Sequence, residues 1–260
     1  MRVRLPDLKA AVSAVSLIVL AACGGGGGSS GSTVTPIDIA GIWTDDETAT
    51  GGAAGLMLSV GDVAYGLEVV GTTVRYFKGS AYSSDGVNFT FGSSRYDESS
   101  SGSSTATASV SGTLEGKFIA GTTPQKLFVT YGVTGGTANN FFPMRMDPAT
   151  ASVAAVADLR DFAGTFALPA GSLTLVAGSS NTATLSGSGV NGCNVSGTLS
   201  LPRADRNVWT TTLNQSGCTD TGRNGIASTG LAMLYKSGAT LNIAILAEDG
   251  RAWTLVSSSR

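Results

Sequence analysis

Histidine is missing altogether from the 260 residues. That absence removes Ser-His-Asp and Cys-His catalysis, imidazole general bases and most zinc and copper sites. Charge is scarce too: Asp, Glu, Lys and Arg make up 13% of the chain, and no run of Lys or Arg occurs. Nucleic acids and polyanions need clustered basic side chains, so neither is an expected partner. The three cysteines include no Cys-x-x-Cys pair, which argues against redox or zinc-ribbon chemistry. Serines abound without a Ser-x-x-Lys motif. Gly51-Gly52 and Gly135-Gly136 lack the Lys-Ser/Thr that a phosphate-binding loop requires and read as turns. No apolar run is long enough for a transmembrane helix, which needs about 17–25 residues. These absences leave no cofactor, no metal and no enzyme as the expectation.

What is present begins at the amino terminus. Met1 to Lys9 carry Arg2, Arg4 and Lys9 against Asp7, and Ala10 to Ala22 form an uncharged, mostly apolar run of thirteen residues. A basic segment followed by an apolar one of this length is the pattern of a secretory signal peptide. Leu20-Ala21-Ala22-Cys23 then resembles the lipobox of bacterial lipoproteins. The resemblance implies cleavage before Cys23, a diacylglycerol on its thiol and acylation of the new amino terminus. Two or more acyl chains hold a protein durably on a membrane where one does not. In that family an aspartate after the cysteine favours the inner membrane. Gly24 stands there, which implies the outer membrane, on its periplasmic or surface face. The next residues, five glycines followed by Ser29, Ser30, Gly31, Ser32 and Thr33, are a flexible tether.

Loss of residues 1–22 removes Arg2, Arg4, Lys9 and Asp7 and leaves 13 basic against 17 acidic side chains, a net charge of −4. The remaining composition, rich in Gly, Ser, Thr, Val and Ala, favours strands and tight turns. Asp38-Ile39-Ala40-Gly41-Ile42-Trp43 recurs in outline as Asp161-Phe162-Ala163-Gly164-Thr165-Phe166, 123 residues later, and each copy opens a stretch of about 100 residues. The expected organisation is a signal peptide (1–22), a lipidated tether (23–35), a β lobe (36–147), a connecting helix or linker (148–161) and a second, related β lobe (162–260). The helix is expected over Thr150 to Asp161, where Val153, Val156, Ala157 and Arg160 fall at helical spacing.

Elsewhere the hydrophobic period is two, as in half-buried antiparallel strands. Val63, Tyr65, Leu67 and Val69 alternate with Ala64, Gly66 and Glu68. Val87, Phe89 and Phe91, then Leu127, Val129, Tyr131 and Val133, repeat the pattern. In the second lobe Cys193, Val195, Leu199 and Leu201 oppose Asn194, Ser196, Thr198 and Ser200, and Leu241, Ile243 and Ile245 follow suit. Ser84-Asp85-Gly86, Ser188-Gly189 and Asp249-Gly250 mark turns, and Asp97 to Thr105 reads as a polar loop. Seven to eight strands per lobe make an all-β protein of two antiparallel barrels or sandwiches. Gly41-Ile42-Trp43 is similar to the Gly-x-Trp start of the calycin barrels, the lipocalins and avidins, and Gly164-Thr165-Phe166 departs from it at the aromatic residue. Two such lobes on a Gly-rich tether also resemble, in architecture, the transferrin-binding and factor-H-binding surface lipoproteins.

Cys193 and Cys218, the pair left after lipidation, are expected to form a disulfide in an exported chain. Trp43, Phe166, Trp209 and Trp253 are read as core plugs, or as the lining of a small apolar ligand site. Asp45, Asp46 and Glu47 lack calcium-loop spacing and read as a solvated turn, as do Asp97-Glu98 and the Asp220/Arg223 turn. The functional expectation is a non-catalytic, membrane-anchored envelope lipoprotein with a binding or structural role and an unidentified protein or small-molecule partner. A carrier of a small apolar ligand, as calycins are, and an inhibitor of an exported protease are the alternatives.

Overall fold

A computed structural model describes residues 35–45, 54–70, 72–100, 108–119, 121–122, 126–133, 144–148, 155–250 and 252–260. Cys23 and the tether, Asp46, Glu47, and the glycine pairs 51–52 and 135–136 lie outside the described residues. The protein is all-β, with sixteen strands among the described residues, in two antiparallel meanders of eight. The first comprises β1 (Gly41–Asp45), β2 (Ala54–Val60), β3 (Val63–Val70), β4 (Thr73–Ser84), β5 (Asn88–Ser100), β6 (Ala108–Ile119), β7 (Lys126–Val133) and β8 (Met144–Pro148). Pairing of β1 with β8 closes it into a barrel, which leaves no strand edge open.

The second meander runs through β9 (Gly164–Leu168), β10 (Gly171–Ala177), β11 (Thr182–Val190), β12 (Cys193–Ser200), β13 (Trp209–Ser216), β14 (Ala227–Ser237), β15 (Thr240–Glu248) and β16 (Trp253–Ser259). Its end strands carry no ladder between them, and side chains bridge the gap instead. The Ser258 hydroxyl donates to the Ala167 carbonyl at 2.5 Å, and Arg260 Nη2 donates to the Ala163 carbonyl at 2.7 Å. The Arg260 guanidinium also lies 5.0 Å from the centre of the Phe166 ring. The lobe is therefore a nearly closed barrel.

The internal repeat occupies equivalent places in the two lobes. Gly41 and Gly164 open β1 and β9 with φ of 151° and 137°, a conformation side chains disfavour. Two residues later Trp43 and Phe166 turn into their respective barrels, and two residues earlier Ile39 and Phe162 plug the ends.

In the second lobe the alternation reads as expected. Cys193, Val195 and Leu199 are buried and Asn194, Ser196, Thr198 and Ser200 are exposed. The interior is filled by Phe166, Trp209, Leu213, Ile243 and Ile245, among others. Ser188-Gly189 is not a turn, however. It lies in β11, at a register shift between Gly187 and Val190, and the chain reverses at Asn191-Gly192, both at positive φ. A Cβ on Gly189 would come 1.9 Å from the Ala170 carbonyl oxygen, so this bulge admits glycine alone.

The first lobe departs from the expected facing. Val63, Tyr65, Leu67 and Val69 do not line its barrel; they face outward, against the second lobe. The interior positions are Ala64, Gly66 and Glu68, the set expected to be wet. Ala64 packs with Phe77 in the barrel core, and a Cβ on Gly66 would sit 1.9 Å from that ring. Glu68 is 9% exposed and pairs with Arg75 at 3.3 Å. Both faces of these strands are buried, so the stronger stripe marked the inter-lobe surface rather than the lumen.

Three local expectations are also revised. The only α-helix among the described residues, α1, is four residues long (Leu159–Phe162), with Asp158 as its cap accepting from the Arg160 backbone N–H. Residues 155–158 are not helical. Asp97 to Ser100 continue β5 in register with β4 rather than starting a loop. Val87 belongs to the β4–β5 turn, 66% exposed, while Phe89 and Phe91 are buried.

Candidate functional site

The two lobes meet wall to wall. Leu56 and Leu58 of β2, Tyr65 and Leu67 of β3, and Tyr76 of β4 pack against Leu231 and Met233 of β14, Leu246 of β15 and Trp253 of β16. Trp253 is the centre of this seam. Its ring stacks on Tyr76 at 4.9 Å between centroids, with 11° between planes, and meets Tyr65 edge-on at 6.1 Å. Polar groups ring the aromatic contact. Lys78 Nζ lies 2.5 Å from Glu248 Oε1 and 5.3 Å from the centre of the Tyr65 ring, and the Tyr65 hydroxyl lies 3.3 Å from Thr229 Oγ1. Burial pushes the Tyr76 phenol up to about 12. Burial also works to lower the Lys78 pKa, but its hydrogen bond to Glu248 and the attraction of Tyr65 and Glu248 outweigh that and raise it.

A strap, residues 35–40, leads into the body and grips both lobes. Ile37 and Ile39 insert into the first barrel's core, and the Trp43 indole donates to the Ile39 carbonyl at 2.9 Å. The Tyr82 hydroxyl donates to the Ile37 carbonyl. Asp38, between the two isoleucines, points the other way. Its carboxylate is 3.0 Å from Arg203 and 3.1 Å from Arg206, both on the β12–β13 loop of the second lobe, and Arg206 Nε donates to the Ala40 carbonyl at 2.9 Å. Partial burial pulls the Asp38 pKa up, yet its hydrogen bonds to Arg203 and Ala40, with the two guanidinium charges, hold it below the ordinary carboxylate value.

The disulfide is present: Cys193 at the start of β12 joins Cys218 just after β13, closing a separation of 25 residues. Both cysteines are buried. Five residues on from Cys218, Arg223 belongs to a buried ion pair that residue spacing did not reveal. Arg223, expected on a solvated turn, is 8% exposed, with Nη2 3.9 Å from Asp249 Oδ2. Asp220 behaves as expected of a turn residue and caps the short 3-10 segment at Thr221–Arg223.

The four aromatic candidates are not brought together. Phe166 and Trp209 share the second lobe's interior, where the Trp209 indole donates to Asn207 Oδ1 at 3.0 Å. Trp43 is in the first barrel and Trp253 is in the seam. Asp45 ends β1. A hollow of about 280 Å³ lies between the connecting segment and the end of β14, floored by Ala155, Val156, Phe162 and Leu234. The Asp161–Lys236 pair, 2.8 Å apart, stands at its rim. Among the described residues no group of three or more His, Cys, Asp or Glu side chains is placed to hold a metal ion. No protein-family model, no curated protein and no solved structure matches this chain.

Proposed function

We propose that the chain is a non-catalytic envelope lipoprotein, held by a lipid on Cys23, most simply at the outer membrane, whose two fused β lobes present binding surfaces. The observation that carries this reading is Leu20-Ala21-Ala22-Cys23 behind a basic and then apolar leader. Eleven residues separate Cys23 from Thr35, where the strap begins. Fully extended, they reach at most about 40 Å, enough for the body to stand clear of the bilayer. The Cys193–Cys218 disulfide supports an oxidising compartment. Phe166 and Trp209 are each 0% exposed among aliphatic side chains, which supports a core role for them and favours the outer walls for binding.

A carrier of a small apolar ligand is the second reading, and the hollow beside Phe162 and Leu234 is what favours it. Its 280 Å³ falls at the lower edge of ligand pockets, which run from about 300 Å³ upward. Metabolic labelling with palmitate tests the anchor. Label in the protein, lost in Cys23→Ser together with membrane fractionation, is the expected result. An unlabelled protein, or a Cys23→Ser variant still held by the membrane, would overturn it.

A further inference from the structure

The strands β9 to β13 contain not one Asp, Glu, Lys or Arg. A soluble surface ordinarily carries about a quarter to a third charged residues. Apart from Ala167, Val176, Asn194 and Asn214, the outward positions here bear hydroxyls, set in rows. Thr174, Ser186 and Ser196 stand side by side on β10, β11 and β12, and Thr184, Thr198 and Thr212 stand side by side on β11, β12 and β13. Neighbours lie roughly 4.7–4.9 Å apart across the strands and about 6.6–6.8 Å apart along them. The result is a two-dimensional array of hydroxyls over one wall of the second lobe.

We infer that this wall is a docking face for a neutral polysaccharide. An ionic partner finds no counter-charge on it, and an apolar one finds little beyond Val176, 57% exposed. Each hydroxyl both donates and accepts, so the complementary surface is one whose own groups do both, at short repeat and without charge. Sugar hydroxyls have that chemistry. Threonine side chains are stiff at χ1 and lose little freedom on contact. Two pairs are already aligned, with Thr165 and Thr174 hydroxyls 2.9 Å apart and those of Thr198 and Thr212 3.0 Å apart. The outward positions bear no aromatic ring on which a single sugar could stack. Binding therefore sums many weak contacts along a polymer rather than gripping one residue. The inference rests on the binding half of the proposed function and stands or falls independently of the lipid on Cys23.

The test is co-sedimentation of the full-length protein, in detergent micelles, with cellulose, β-1,3-glucan, starch and mannan. Retention on at least one of them is expected, and it should survive raising the salt from about 0.1 to 1 M, which shortens the screening length from about 10 to 3 Å. Thr198→Glu and Thr184→Lys should each weaken it about tenfold, because each buries an unpaired charge against the glycan. Ser111→Lys, on an exposed position of the other lobe, should leave it unchanged. No retention on any of the four polymers, or retention indifferent to both array variants, overturns the inference. So does a dimer in sedimentation equilibrium that Thr198→Glu dissociates, which would make the wall a contact between copies.

Discussion

Trp253→Ala tests how firmly the seam unites the two lobes. Trp253 is 1% exposed, and its ring meets Tyr65 and Tyr76 of the other lobe. A buried aromatic side chain removes about 150–250 Å² from water, worth about 4–6 kcal/mol at roughly 25 cal/mol per Å². A compact unfolded chain already hides part of that area, which brings the expectation to about 3–5 kcal/mol, the range measured for truncating large aromatic residues to Ala. The loss falls on the contact between lobes, so it should appear as broken cooperativity as well as a lower melting temperature. Scanning calorimetry should show one transition for the wild type and two for the variant. Phe166→Ala is the control, since that ring is equally buried but lies inside the second lobe. It should lower the melting temperature of the second lobe without freeing the first from it. A single transition in Trp253→Ala, shifted by less than about 1 kcal/mol, would refute the reasoning, for it lies far below the cost of truncating a large buried aromatic residue to Ala.

Three other outcomes follow from the same structure. Replacing Cys193 and Cys218 by Ser should destabilise the second lobe by about 3.5 kcal/mol on the chain-entropy account of a 25-residue loop, measurable by urea unfolding with and without reductant. Gly66→Ala places a Cβ where the Phe77 ring now lies, so overpacking should cost about 1–3 kcal/mol in the first barrel, seen by near-ultraviolet circular dichroism and melting. Alkali should loosen the seam. The Tyr76 pKa rises in the fold from 10.0 to about 12, and that of Lys78 rises above 10.5, so the unfolded chain releases these protons first. The stability they confer is complete below pH 10 and is lost as the pH climbs through the raised values. Tyrosine absorbance at 295 nm should show late-titrating phenols whose ionisation coincides with unfolding; normal titration with the fold intact would contradict this.

Much of the architecture can be read from residue spacing, and each failure has a physical cause. Asp38 to Trp43 and Asp161 to Phe166 announce two lobes, because each copy sets a glycine at the mouth of a barrel and an aromatic residue just inside. The alternation of β12 is plain because one face is core and the other water. On β3 both faces are buried. There the larger side chains, Tyr65 and Leu67, lie against the neighbouring lobe, while Ala64 and Gly66 make room for Phe77 within the barrel. Nothing in a two-residue period separates a lumen from a buried outer wall. The role of Trp253 was hidden for the same reason. Arg223 was unreadable because its partner, Asp249, is distant in sequence and is brought near it only by the folded second lobe. Within the described residues the connecting helix covers Leu159–Phe162 alone, with Asp158 capping its start.

The central claim concerns Cys23, and mass spectrometry of the amino-terminal peptide from membrane-extracted protein addresses it most directly. A peptide that begins at Cys23, with a diacylglycerol on its sulfur and an acyl group on its amine, is the predicted result. A peptide that begins at Met1, or a Cys23 with a free thiol, would contradict it.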